Sequence, residues 1–184
     1  MNSRKRTVII ILILLGSILI SFIANLTIDL IEKSTHQKKY EEYVEKYASE
    51  YNVPEYVIYA VINVESGFEL IQASPDVLKL LSSDKHFDEK IDLDSFSDPE
   101  TAIRYGTYYL RYLFDKYHKW DVVFAALYAG EEQVLEWLDD GRYSSDRETL
   151  KKIPDSETRS YVKKVNKSIE YYKDTYYRNG VSVK

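Results

Sequence analysis

The chain contains no cysteine. That excludes a disulfide framework, a thiolate nucleophile, a cysteine-based metal site and a lipid-modified cysteine. Histidine is almost as scarce. His36, His86 and His118 stand far apart in polar surroundings, without H-E-x-x-H or comparable spacing, so they read as surface residues and neither a metal centre nor a cofactor is expected. No strand-like alternation longer than a few residues occurs, and no internal repeat or low-complexity segment, which leaves helices as the building material.

What is present begins with charge. The formal net charge is −5, but Arg4, Lys5 and Arg6 stand in the first 26 residues with no acid, so the remainder carries −8. Nucleic acid is thereby excluded as a partner of the main domain, and so is an anionic membrane surface. A neutral partner held by hydrogen bonds and stacking, such as a sugar chain, fits better. The 184 residues suit one domain plus accessory segments, and 45% apolar residues suffice for a core.

Residues 1–7 form a short basic tail. From Val8 to Leu26 the chain is apolar except at Gly16, Ser17, Ser21 and Asn25. About 19 residues at about 1.5 Å each approach the hydrocarbon thickness of a bilayer. The cations before the run predict a cytoplasmic N-terminus. No A-x-A site follows, so a retained signal anchor over residues 8–26 is favoured over a cleaved signal peptide, and the rest of the chain is expected outside the cytoplasm. Residues 27–39 read as a juxtamembrane connector, 40–177 as the main domain and 178–184 as a tail.

Within the main domain, Tyr40, Tyr43, Val44 and Tyr47 share one helical face. Asn52 and Pro54 mark the next helix start. Val57, Ile58, Val61, Ile62 and Val64 make that helix apolar over a wide arc, hence central. Pro75 opens another, and 82–98 reads as loop. Ser97-x-x-Glu100 with Pro99 reads as a capping box. Apolar or amphipathic runs follow at 103–117, 120–127 and 131–138. A last helix opens around Pro154 and Ser156, with Val162, Val165, Ile169, Tyr172 and Tyr176 on one face. The 18 tyrosines read mostly as boundary residues between helix and solvent.

The central helix ends at Glu65. A carboxyl pressed against apolar side chains keeps its proton more readily than one in water. A carboxylic acid still protonated near neutral pH is what protonation of a glycosidic oxygen requires. The plain alternative is a solvated helix end with Gly67 as its cap.

Four segments in order decide between these readings: Glu65-Ser66-Gly67-Phe68, Leu70-Ile71-Gln72-Ala73-Ser74-Pro75, Ala125-Ala126-Leu127-Tyr128-Ala129-Gly130, and Ile153-Pro154-Asp155-Ser156-Glu157-Thr158-Arg159-Ser160-Tyr161-Val162. Together they resemble the lytic transglycosylase (SLT) domain, whose fold is lysozyme-like and which cleaves peptidoglycan glycan strands. The resemblance covers roughly residues 40–177 and implies an all-α, lysozyme-like domain; the apolar run before it places that domain behind an N-terminal transmembrane helix. It implies Glu65 as the single acid and base, with Gln72, Tyr128, Glu157 and Tyr161 on the substrate side and the Tyr128 hydroxyl close to the acid. The implied reaction cuts between N-acetylmuramic acid and N-acetylglucosamine and leaves a 1,6-anhydro end. The partners implied are glycan strands and the membrane, within a cell-wall or secretion complex.

Two departures stand beside the matches. Phe68, Glu69 and Leu70 run together where the family carries about ten more residues, and Tyr128 meets Ala129 without the family's asparagine. They support two alternatives on the same fold: a degenerate glycan-binding or scaffolding domain, and a lysozyme-like hydrolase.

Overall fold

The computed structural model describes residues 3–65, 75–83, 96–178 and 181–182. Two units divide at Gln37 and Lys38. The first is a single helix, α1 (Ser3–Thr35). It does not stop at the expected Leu26, because Asp29, Glu32 and Lys33 are polar without being helix breakers and no proline or glycine follows. Two hydroxyls along it are satisfied within the helix: Ser17 donates to the Leu14 carbonyl and Thr27 to that of Ile23, each at 2.8 Å. From Ile11 to Thr35 it is long and apolar enough to cross a membrane, by length and composition.

Among the described residues the second unit is mainly helical, with one short strand pair. Its described helices are α2 (Glu41–Tyr51), α3 (Glu55–Glu65), α4 (Pro75–Ser83), α5 (Pro99–Tyr117), α6 (Trp120–Ala129), α7 (Glu131–Asp139) and α8 (Ser156–Tyr176). After α8, β1 (Tyr177–Arg178) pairs antiparallel with β2 (Val181–Ser182), Tyr177 opposite Ser182.

The helix ends follow from local chemistry, with shifts from the sequence expectation. Asn52 closes α2 rather than opening α3. It adopts the left-handed conformation (φ 53°), and its N–H bonds the Ala48 carbonyl, a role asparagine tolerates well. Asp98, not Ser97, caps α5, its carboxylate accepting from the backbone and hydroxyl of Thr101. Glu100 is therefore free to reach α2, where Lys46 and Tyr47 bond it at 2.7 and 2.9 Å.

Two rods are buried almost all round. In α3, Val57 through Ile62 are buried, and in α6 Val122 through Leu127. Helix α8 packs against both, α2 packs against α5, and α6 packs against α5 and α7. The α3–α8 pair is antiparallel, and its contacts form rungs. Glu65 meets Tyr161, Asn63 donates to Ser168 at 3.4 Å, Tyr59 stacks on Tyr172 at 5.4 Å, and the Tyr177 hydroxyl donates to Glu55 at 2.7 Å.

Tyrosine divides between this core and its boundary. Eight of the 18 are buried, among them Tyr59, Tyr105 and Tyr172 at about 1% exposure, and the other ten are half-buried or exposed, as expected of boundary residues. A buried phenol needs a partner for its hydroxyl, and among the described residues Tyr59 has none. Tyr59→Phe is accordingly expected to raise unfolding free energy by about 1 kcal/mol, since it removes an unsatisfied polar atom and keeps the ring. Urea denaturation of both proteins checks this; a loss of stability would show the hydroxyl to be satisfied.

Candidate active site

Glu65 is the last residue of α3, where the apolar rod leaves the core. It is only 6% exposed, the one carboxylate among the buried residues. An ionised carboxylate in such surroundings is tolerated only with hydrogen-bond donors. Tyr161 of α8 supplies one: its hydroxyl, itself buried, donates to Glu65 Oε1. The Tyr161 hydroxyl is held far above the ordinary tyrosine range, first by burial and then by the negative charge of Glu65. It therefore remains a donor at any physiological pH.

A second tyrosine–carboxylate pair lies alongside. The ring of Tyr128, at the end of α6, stacks on that of Tyr161 with centroids 4.9 Å apart, and its hydroxyl donates to Glu157 Oε2 at 3.3 Å. Glu157, in the first turn of α8, is exposed. The hydroxyl on Glu65 is thus Tyr161's, and the one expected there, Tyr128's, is turned to Glu157. The α6–α7 corner that carries Tyr128 turns on Gly130, whose φ of +88° strains any side-chain-bearing residue although the space around it is open. A cavity of about 610 Å³ opens beside this corner, lined by Ala129 and Gly130 with Val77, Leu80, Tyr109 and Tyr112 among others. Glu65 is not among its described lining residues.

Of the expected site residues, the fold brings together Glu65, Tyr161, Tyr128 and Glu157. Gln72 lies outside the described residues. The last helix opens at Ser156 as expected; what sequence reasoning missed is Asp155, which caps α8 and so aims its first turn. Its carboxylate accepts from the Thr158 N–H at 2.6 Å and the Thr158 hydroxyl at 2.7 Å. The signal was in the sequence, as an aspartate three residues before a threonine at a helix start.

The family described as the Transglycosylase SLT domain matches residues 42–151. The chain belongs to this family. Its all-α fold is lysozyme-like. Over 152 residues it is 29% identical to the soluble lytic murein transglycosylase of Escherichia coli strain K12, covering 76% of this chain and 23% of that protein, and the O157:H7 counterpart matches equally. The chain therefore spans less than a quarter of the length of the curated relatives it matches. No solved structure matches it. The family match stops two residues before Ile153, so the helix that supplies Tyr161 and Glu157 lies beyond it.

Two outcomes follow from this geometry. Tyr161→Phe removes a hydrogen-bond donor from a buried carboxylate and is expected to cost about 1–3 kcal/mol in urea unfolding, whereas Tyr128→Phe, whose partner is solvated, changes stability little. An equal loss in both would place the energetic weight in the ring stack instead. The second concerns acid. The Asp155 carboxyl is held below its ordinary range, first by the Thr158 N–H and then by the Thr158 hydroxyl. A depressed folded-state pKa contributes stability that is present above the unfolded value and lost as pH falls. Asp155→Ala should therefore lower the urea midpoint at neutral pH, and the gap to wild type should close towards about pH 3.

Proposed function

We propose that this is a peptidoglycan lytic transglycosylase in which Glu65 serves as both acid and base. The observation that carries the reading is the buried Glu65 carboxyl at the tip of α3, held by the Tyr161 hydroxyl. In the forward step Glu65 gives its proton to the glycosidic oxygen as the bond between N-acetylmuramic acid and N-acetylglucosamine breaks. The resulting carboxylate then takes the proton of the muramic 6-hydroxyl as that oxygen closes on the anomeric carbon. Glu65 ends protonated again, no water is consumed, and the product carries a 1,6-anhydro ring. One carboxyl does both tasks in sequence, so a second at a fixed separation is not required.

Tyr161 orients the acid. Tyr128 and Glu157 border the bound glycan, and Gln72 would hydrogen-bond an acetamido or hydroxyl group. Helix α1 anchors the protein with Arg4, Lys5 and Arg6 in the cytoplasm and the catalytic unit outside, facing the wall. What supports this topology is the apolar span from Ile11 to Thr35 together with those three cations.

Digestion of purified sacculi by the full chain, followed by mass spectrometry of the products, tests the reading. Glu65→Gln should reduce release of anhydro-muropeptides by at least about a hundred-fold while leaving the thermal midpoint nearly unchanged. Products one water heavier would make the protein a hydrolase of the same fold. Undiminished release by Glu65→Gln would remove Glu65 from the chemistry, and a wild-type protein that binds glycan without cutting it would be a scaffold.

A further inference from the structure

The chain enters its larger unit at Lys38, and that residue is held in an unusual way. Its side chain is only 11% exposed, although lysine at the edge of a domain is ordinarily solvated. The ammonium is bonded to the Glu41 carboxylate in the first turn of α2. It also lies 5.6 Å from the ring centroid of Tyr59 and 5.6 Å from that of Tyr177, within range for a cation over an aromatic face. Tyr59 belongs to α3, and Tyr177 follows directly on α8. Tyr177 is fixed in turn, its hydroxyl on Glu55 at the start of α3 and its ring edge-to-face with Tyr56 at 5.8 Å. One ammonium therefore touches α2, α3 and the end of α8.

Two residues on, Tyr40 sits in the left-handed region at φ 60° and precedes the first residue of α2. A tyrosine adopts that backbone only where its surroundings hold it there. No side chain caps α2, so what fixes its start is the backbone bond from Val44 N–H to the Tyr40 carbonyl and the anchored Lys38 just before it.

We infer that Lys38 is a positioning clasp: its ammonium, caged by Glu41, Tyr59 and Tyr177, locks the incoming chain to the α3–α8 pair at the end opposite Glu65 and holds Tyr40 left-handed at the start of α2. The clasp closes the ladder of rungs whose other end is the Glu65–Tyr161 bond. Any pull transmitted through the residues before Lys38 reaches the α3–α8 pair here, at Tyr59 and Tyr177, before it can unwind α2. Lys39, the adjacent cation, is exposed and takes no part.

Hydrogen–deuterium exchange on the full chain tests this, reading the amides of Val44 to Tyr47, the first that α2 bonds. Lys38→Met keeps the aliphatic stem and removes the charge; exchange there should accelerate by about ten-fold. Lys38→Arg restores a cation to the cage and should recover most of the protection, a rescue that stem packing alone would not need. Lys39→Met removes the same charge one residue away and should change nothing. Adding Tyr177→Leu to Lys38→Met should accelerate exchange by less than it does in the wild-type background, because the two act through one contact. Unchanged exchange in Lys38→Met, an equal effect from Lys39→Met, or full additivity with Tyr177→Leu would each overturn the clasp.

Discussion

The antiparallel pairing of α3 with α8 is the constraint on which the rest depends. Burying a carboxylate is costly unless a donor meets it, and the donor for Glu65 stands 96 residues away in sequence. The site therefore exists only if two distant helices meet in one register. A slip of one helical turn, about 5.4 Å, would carry Tyr161 past Glu65 and break the bond between them. The remaining rungs prevent that slip by chemistry of different kinds: an amide to a hydroxyl at Asn63 and Ser168, a ring stack at Tyr59 and Tyr172, and a phenol to a carboxylate at Tyr177 and Glu55. Each is directional, so together they specify a register that apolar burial alone would leave free to slide.

A core this rich in tyrosine works because the chain is also rich in acids. A phenol fills core volume as phenylalanine does, yet brings one donor that must be placed. Carboxylates at the margins of the core accept it: Glu100 from Tyr47, Glu55 from Tyr177, Glu157 from Tyr128 and Glu65 from Tyr161. In three of these pairs the acid is at the beginning of a helix, where its negative charge also complements the exposed N–H groups of the first turn. Glu65 is the exception, at a helix C-terminus and buried. The same pairing that joins core to helix start elsewhere holds, at Glu65, the carboxyl to which the proposed reaction assigns the proton.

Much of this was legible in sequence, and the failures share a cause. The apolar arc of 57–64 announced one central rod, the apolar run of 120–127 proved to be a second, and the spacing of Val162, Val165, Ile169 and Tyr172 announced the inner face of α8, because burial imposes a 3.6-residue period wherever a helix meets a core. Caps were less legible. Ser97 and Asp98 are both good N-cap residues, and which one stops the helix depends on the side chain that finds Thr101. Tyr128 and Tyr161 exchanged roles for a related reason. Both belong to recognisable motifs, but which phenol reaches Glu65 is settled by how two stacked rings are offset, a tertiary fact without a local signature. Nor could local sequence end α1 at Leu26, since a change from apolar to charged alters a helix's surroundings without breaking it.

Of the two departures from the family pattern, one acquires a location in this fold. The missing asparagine falls at the α6–α7 corner, between Tyr128 and Gly130, whereas the run Phe68-Glu69-Leu70 lies outside the described residues. None of the four rungs of the α3–α8 ladder is at that corner. The register that brings Tyr161 to Glu65 is set along the whole length of two helices, so a side chain lost at the α6–α7 corner leaves it in place: each remaining rung still opposes a slip, and a helix cannot move one rung without moving the others.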